Sequence, residues 1–240
     1  MTISPSRGSK RPRLFWDESL DDLLHGELEL LQKKAGYRYS VDALLLADFV
    51  IPGIKPGHQI LDLGAGSGVI SLILARRSRA KKIVGIEIQK SLAKMAARSV
   101  ALNHLEDKIQ ILNQDARQAA QIFRPASFDL VLSNPPFRKV GTGVLSRNRE
   151  RAIARYELEL TMPELLKICG RMVKPRGKIA LIYPLERLRD LTRELGPRRL
   201  FPARLRLVFH KKGEPVPILF CMELARKKAA LFLEPPCFIK

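Results

Sequence analysis

A chain of 240 residues, 46% of them hydrophobic, is long enough for one large α/β domain with a modest extension and too apolar to be disordered. Lys and Arg number 43 against 24 Asp and Glu, and the net charge of +19 favours a polyanionic partner, nucleic acid first and a membrane surface second. No apolar run approaches the ~20 residues that a spanning helix requires, which argues against a transmembrane protein.

Residues 1–13 hold Arg7, Lys10, Arg11 and Arg13 and no acid. They lack the apolar middle of a secretory signal and read as a mobile basic tail. Residues 14–57 are expected to form an N-terminal helical extension. In it Asp42 opens an apolar helix over Ala43–Val50, closed by Pro52 and Gly53. From residue 58 to 228 strand and helix patterns alternate, which predicts an α/β domain with a mostly parallel sheet. The strands fall at Gln59–Leu63, Lys82–Ile88, Ile109–Leu112, Phe128–Leu132 and Lys178–Tyr183. Arg204–Phe209 and Ile218–Leu224, joined by a short link, bring the number to seven and suggest an antiparallel edge at the C-terminal end. Helices are expected after Gly68, over Ser91–Asn103, from the capping box at Thr161 and over Glu186–Leu195. Residues 229–240 read as a C-terminal tail. Cys169, Cys221 and Cys237 are too few and too dispersed for a disulfide framework or a zinc site. No metal is expected, and reduced thiols fit a cytoplasmic protein.

The first predicted strand runs into Gly64-Ala65-Gly66-Ser67-Gly68. Glycines at every second position allow a sharp bend and leave no side chain above it, as a flat, hydrogen-bonding small molecule requires. In an open α/β sheet such ligands lie beyond the carboxyl ends of the strands. A dinucleotide-binding turn reads G-x-G-x-x-G, but here Val69 holds the place of the third glycine, so a nicotinamide or flavin is disfavoured. Glu87 ends the second strand, placed to accept hydrogen bonds from ribose hydroxyls. Asp115, followed by Ala116, ends the third and suits an adenine amino group. Glycine turn, acid and acid on three successive strand ends describe a groove for an adenosine without a pyrophosphate.

With those residues in place, the chain resembles the class I S-adenosylmethionine-dependent methyltransferases, whose first motif is similar to Asp62-Leu63-Gly64-Ala65-Gly66-Ser67-Gly68. The resemblance implies a Rossmann-like fold with helices on both faces of a seven-stranded sheet. It also implies S-adenosyl-L-methionine as cofactor, held by Asp62, Gly64, Ala65, Gly66, Gly68, Glu87, Asp115 and Ala116, with Asn134 at its border.

The fourth strand ends in Asn134-Pro135-Pro136-Phe137. Two prolines stiffen the loop and withhold two donors, so it presents acceptors. An Asn side-chain oxygen and a proline carbonyl held together can take both hydrogens of a planar amino group and aim its lone pair at an incoming methyl. Phe137 offers a face for a flat base. No strong general base is needed, because the nitrogen becomes acidic once alkylated. This loop is similar to that of amino-group methyltransferases acting on DNA or RNA adenine, ribosomal-RNA guanine or release-factor glutamine.

Gly36-Tyr37-Arg38-Tyr39-Ser40-Val41-Asp42-Ala43-Leu44-Leu45-Leu46-Ala47, Arg151-Ala152-Ile153-Ala154-Arg155-Tyr156-Glu157 and Lys211-Lys212-Gly213-Glu214-Pro215 resemble the bacterial tRNA(Val) adenine-N(6)-methyltransferases. The resemblance covers most of residues 32–228. It implies tRNA as substrate, the adenine 3′ of the anticodon as target, and Ser40 as a contact to the methionine end of the cofactor. Phe209-His210-Lys211 departs from the His-Pro-Lys of relatives. Two basic runs, Arg138–Arg155 and Pro197–Lys212, suit RNA phosphates, the first because it directly follows the Asn134 loop. The same chemistry on a protein glutamine, ribosomal RNA, other structured RNA or DNA stays open, as does a non-catalytic RNA-binding factor of this fold. The oligomeric state is left open as well.

Overall fold

A computed structural model describes residues 14–36, 38–137 and 158–239. Residues 1–13 and the 138–157 segment, with the first basic run and the Arg151–Glu157 motif, lie outside the described residues.

At the centre stands β3 (Gln59–Leu63), flanked in parallel by β4 (Lys82–Glu87) and β6 (Phe128–Ser133). β5 (Ile109–Asn113) pairs with β4, and β7 (Val173–Pro184) pairs with β6. The chain therefore builds β3, β4 and β5 outward to one side, then returns to place β6 on the other side of β3. That reversal creates a crevice beyond the ends of β3 and β6, where open α/β sheets bind ligands. Register puts Ile60 beside Leu130 and Asp62 beside Leu132, so the two loops that follow leave the sheet as neighbours.

β9 (Leu219–Ala225) is inserted antiparallel between β7 and β8 (Phe201–Phe209). The seven expected strands are present, and the antiparallel one lies a place inside the edge. Two short strands, β10 (Phe232–Leu233) and β11 (Cys237–Phe238), pair in parallel with β8 and bring the sheet to nine. The segment expected as a C-terminal tail is thus docked on the sheet. Its anchor is Glu234, which accepts from Arg204 at 2.7 Å and from Arg206 at 2.6 Å. Both guanidinium groups lie over the Phe49 ring. The unpaired edge of β8 supplies the remaining backbone partners.

Both faces of the sheet are covered, as parallel strands require. On one face Ile60, Leu132 and Ile182 pack with α1 (Val41–Val50) and α2 (Val69–Arg77). On the other, Leu61, Val131 and Leu181 pack with α5 (Met162–Met172) and α6 (Leu188–Leu195). α3 (Lys90–Leu102) and the single turn α4 (Ala119–Ile122) complete the helices. The capping box on α5 forms as expected, with Thr161 and Glu164 bonded to one another.

The N-terminal extension is not helical throughout. Its first half is an antiparallel hairpin of β1 (Glu18–Leu23) and β2 (Leu28–Lys33), and only α1 follows the expectation. In β2 only Glu29 is exposed, while Leu28, Leu30, Leu31 and Gln32 are buried, so both faces of the strand are covered past Glu29. The chain turns through positive φ at Leu24, His25 and Gly26. Leu31 packs on Leu92 and Met95 of α3, and its amide donates to Ser99 Oγ at 3.0 Å.

Candidate active site

Gly64, Gly66 and Gly68 have φ of +73°, +57° and +82°, a region that side chains other than glycine rarely adopt. The amides of Gly64 and Ala65 both donate to the Ile86 carbonyl, at 2.9 and 3.0 Å, which ties the turn to the end of β4. A Cβ on Gly68 would lie 3.1 Å from Ala96 Cβ, so this glycine lets α3 approach the turn. A Cβ on Gly64 would meet nothing within 4 Å. The open space in front of it is the cleft.

Glu87 is buried at 5% exposure. One carboxylate oxygen accepts from the Gly66 amide at 2.8 Å and the other from the Gln89 amide at 2.8 Å. An ionised carboxylate has about four acceptor sites, so Glu87 locks the turn and keeps capacity for a ligand's hydroxyls. Asp115 follows β5 and accepts from the Arg117 amide at 2.8 Å and from its guanidinium. Partial burial opposes ionisation of Asp115, but the hydrogen bonds and charge of Arg117 outweigh it and hold the carboxyl below its usual range. Asp62 lies fully buried beneath the turn. Its Oδ2 accepts from Ser71 Oγ at 2.8 Å, while Oδ1 has no donor. Burial raises its pKa to about 7; the Ser71 bond opposes this and the Glu87 charge adds to it.

Across the crevice, Ser133 Oγ donates to the Leu63 carbonyl at 2.7 Å and stitches the end of β6 to the end of β3. Asn134 follows, half-buried, then the buried Pro135. Phe137 packs against the cluster under α5 and α6. Its carbonyl accepts from Nη1 of Arg187, a residue only 5% exposed. Arg187 Nε also donates to Asp190 Oδ2 at 3.1 Å, and the guanidinium lies 5.7 Å from the Tyr183 ring centroid. Nothing in the sequence singled out Arg187; its i,i+3 partner Asp190 reads like an ordinary surface pair on a helix.

One cleft joins the two halves, with about 690 Å³ of atom-free space continuous with solvent. Of the residues singled out by sequence, Gly64, Gly66, Glu87, Asp115, Ala116, Asn134, Pro135 and Pro136 line it. Asp62, Ala65, Gly68 and Phe137 stand behind that lining. Ser40 is the exposed N-cap residue of α1 and is not among the lining residues. Sequence reasoning missed the apolar Ile88, Leu92 and Leu160. Ile88 directly follows Glu87 and Leu92 opens α3, so a strand-end rule extended by one turn finds both; Leu160 carries no signal.

The basic run of residues 197–212 does not form one RNA-facing surface. Arg198 pairs with Glu194, and Arg204 and Arg206 clamp Glu234. Lys211 and Lys212 are exposed. Among the described residues no cluster of His, Cys, Asp and Glu could hold a metal ion, and no helix is long and apolar enough to cross a membrane.

Residues 42–157 match the model of the Methyltransferase small domain family. Two proteins named tRNA1(Val) (adenine(37)-N6)-methyltransferase, from two strains of Porphyromonas gingivalis, are similar to this chain. One is 34% identical over 189 residues, covering 76% of this chain and 70% of the relative. The other is 32% identical over 193 residues, covering 78% and 72%. Among solved structures, a predicted O-methyltransferase from Agrobacterium tumefaciens superposes with a TM-score of 0.63 at 20% identity, covering 82% of this chain and 87% of that one.

The residues present suit S-adenosylmethionine. The space over Gly64 admits a ligand against main chain, and Glu87 and Asp115 offer acceptors to adenosine. The protein is therefore an S-adenosylmethionine-dependent N-methyltransferase, and by its likeness to relatives over three quarters of its length the chain belongs to the family of the tRNA1(Val) (adenine(37)-N6)-methyltransferases.

Proposed function

We propose that the protein methylates N6 of an adenine in tRNA, the adenine 3′ of the anticodon. One observation carries the reading: Asn134, Pro135 and Pro136 line the same cleft as Gly64, Gly66 and Glu87. An amino group presented by the loop therefore meets the ligand held by the turn. Bound S-adenosylmethionine supplies a methyl carbon bonded to a sulfonium and open to attack.

The chain's own residues hold and aim the amino group. Asn134 Oδ1 and the Pro135 carbonyl accept its two hydrogens, which leaves the nitrogen's lone pair free of the base plane and pointed away from the loop. Pro136 withholds a donor that would compete for those acceptors. Phe137, expected from the sequence to offer the base a face, is packed behind the lining and backs the loop instead. The nitrogen gains the methyl and loses one proton to water, so no buried base is required. Taking an adenine out of its stack costs a few kcal/mol, least in a loop.

The relatives' names point to adenine 37 of a valine tRNA, and the net charge of +19 favours RNA over a protein glutamine. The test is methyl transfer from labelled S-adenosylmethionine to total tRNA and, separately, to release factors, ribosomal RNA and duplex DNA. Nucleoside mass spectrometry then locates the label. N6-methyladenosine next to the anticodon of one tRNA is the expected product; label on protein, or on tRNA away from the anticodon loop, overturns the reading.

A further inference from the structure

β8 is antiparallel to β9, and β9 to β7, so β8 points the same way as β6. Its last residue, Phe209, therefore lies on the rim of the sheet that carries Asn134. Three strand intervals separate the two strands, about 14 Å at ~4.8 Å each, and register sets Ser133 level with Leu205, so Phe209 stands about 10 Å further along its strand than Asn134. Val208 packs into the cluster under α1, while Leu205 and Leu207 pack with Phe137 into the opposite one. Alternation puts Phe209 on the Phe137 side of the sheet.

On β11, Phe238 sits in register with Phe209, their ring centroids 5.9 Å apart and the planes 32° from parallel. Phe238 is 40% exposed although its backbone is held firmly. The Ile239 amide donates to the Phe209 carbonyl at 3.1 Å, and Glu234 is fixed by two arginines. Directly after Phe209 come His210 and the exposed Lys211 and Lys212, in the turn that leads to β9. Unlike Arg204 and Arg206, whose charge is spent inside the fold, these two lysines face solvent beside a rigid exposed ring.

We propose that this corner of the rim binds single-stranded RNA flanking the target adenine, a base stacking on Phe238 while Lys211 and Lys212 take phosphates. The proposal rests on the reading of an RNA adenine as substrate and extends it with a second point of attachment. Charge complementarity with a chain of net charge +19 selects RNA as the occupant. About 14 Å across the sheet and about 10 Å along it combine to roughly 17 Å, about five nucleotides at a stacked rise of ~3.4 Å each. The enzyme would then hold one side of the anticodon loop as well as the flipped base.

Fluorescence anisotropy with tRNA at several salt concentrations, together with steady-state kinetics, tests this on the full chain. Phe238→Ala is expected to weaken tRNA binding and raise KM by on the order of tenfold. The Lys211→Ala/Lys212→Ala double variant is expected to lower the slope of log K against log salt by up to about two, one per lost phosphate contact. Affinity for S-adenosylmethionine stays at the wild-type value in both. Variants that bind and methylate tRNA as the wild type does overturn this surface and leave the adenine reading standing. A change in self-association with unaltered tRNA affinity overturns it too, as the sign of an interface between copies. A wild-type chain that neither binds nor methylates tRNA overturns the adenine reading, and this surface with it.

Discussion

The two halves of the cleft are held in place by different means. On the side of β3, β4 and β5, neighbouring strand ends hold one another: the Gly64 and Ala65 amides bond to the Ile86 carbonyl, and the Glu87 carboxylate bonds to the amides of Gly66 and Gln89. On the side of β6, the backbone past Ser133 is secured by a side chain from much later in the chain, Arg187 on the Phe137 carbonyl. Backbone bonds between adjacent strand ends come with the sheet itself. A single guanidinium is a separate device, and its removal should loosen one half of the cleft while sparing the other.

The largest separation of the halves is expected from Asn134→Ala. Turnover should fall about a thousandfold, roughly 4 kcal/mol in the barrier, with S-adenosylmethionine affinity from calorimetry nearly unchanged. Parallel loss of both would make Asn134 a structural residue instead.

Next in size is a pH effect on the other half. Asp62 has its pKa raised by burial from 3.8 to about 7, so between about pH 4 and 7 the folded chain binds more protons here than the unfolded one. Its contribution to stability therefore falls as pH rises through that window. Between pH 5 and 7 the loss approaches about 2–3 kcal/mol. Thermal melts of Asp62→Asn without cofactor should lack this loss; an identical pH profile would mean that Asp62 does not titrate there.

Glu87→Gln keeps the shape but turns an amide NH2 toward the Gly66 or Gln89 N–H. S-adenosylmethionine affinity should fall about thirtyfold, near 2 kcal/mol, and calorimetry reads it directly. The smallest effect is expected from Arg187→Lys. A lysine keeps the charge but cannot offer a planar fork to Phe137 and Asp190 together. kcat/KM for tRNA should drop about fivefold, roughly 1 kcal/mol, with cofactor affinity intact. An equal drop in cofactor affinity would erase the contrast between the halves.

The difference in how the halves are held also decides which was legible. Gly64, Gly66, Gly68, Glu87 and Asp115 stand at strand ends, and strand ends are visible as breaks in apolar runs. The Asn134 loop was visible for the same reason, since Pro135 and Pro136 stop a strand abruptly. Arg187 was invisible: its meaning comes from a carbonyl 50 residues earlier. The hairpin at β1 and β2 was misjudged because Leu30, Leu31 and Gln32 are buried on both faces and leave no alternation to mark a strand. The docking of the last residues on β8 depended on Glu234 meeting Arg204 and Arg206, with no local pattern to announce it.

Sequence by itself determined the alternation of strands and helices, the glycine bend, the acids after the second and third strands of the domain and the acceptor loop after the fourth. Each of these depends on the backbone preferences and hydropathy of neighbouring residues. Only the tertiary structure decided that the two loops open into one cleft, that most arginines of the 197–212 run serve the fold, and that Phe238 comes to rest beside Phe209. Those outcomes follow from strand order and from charges meeting across long chain separations, which no window along the sequence contains.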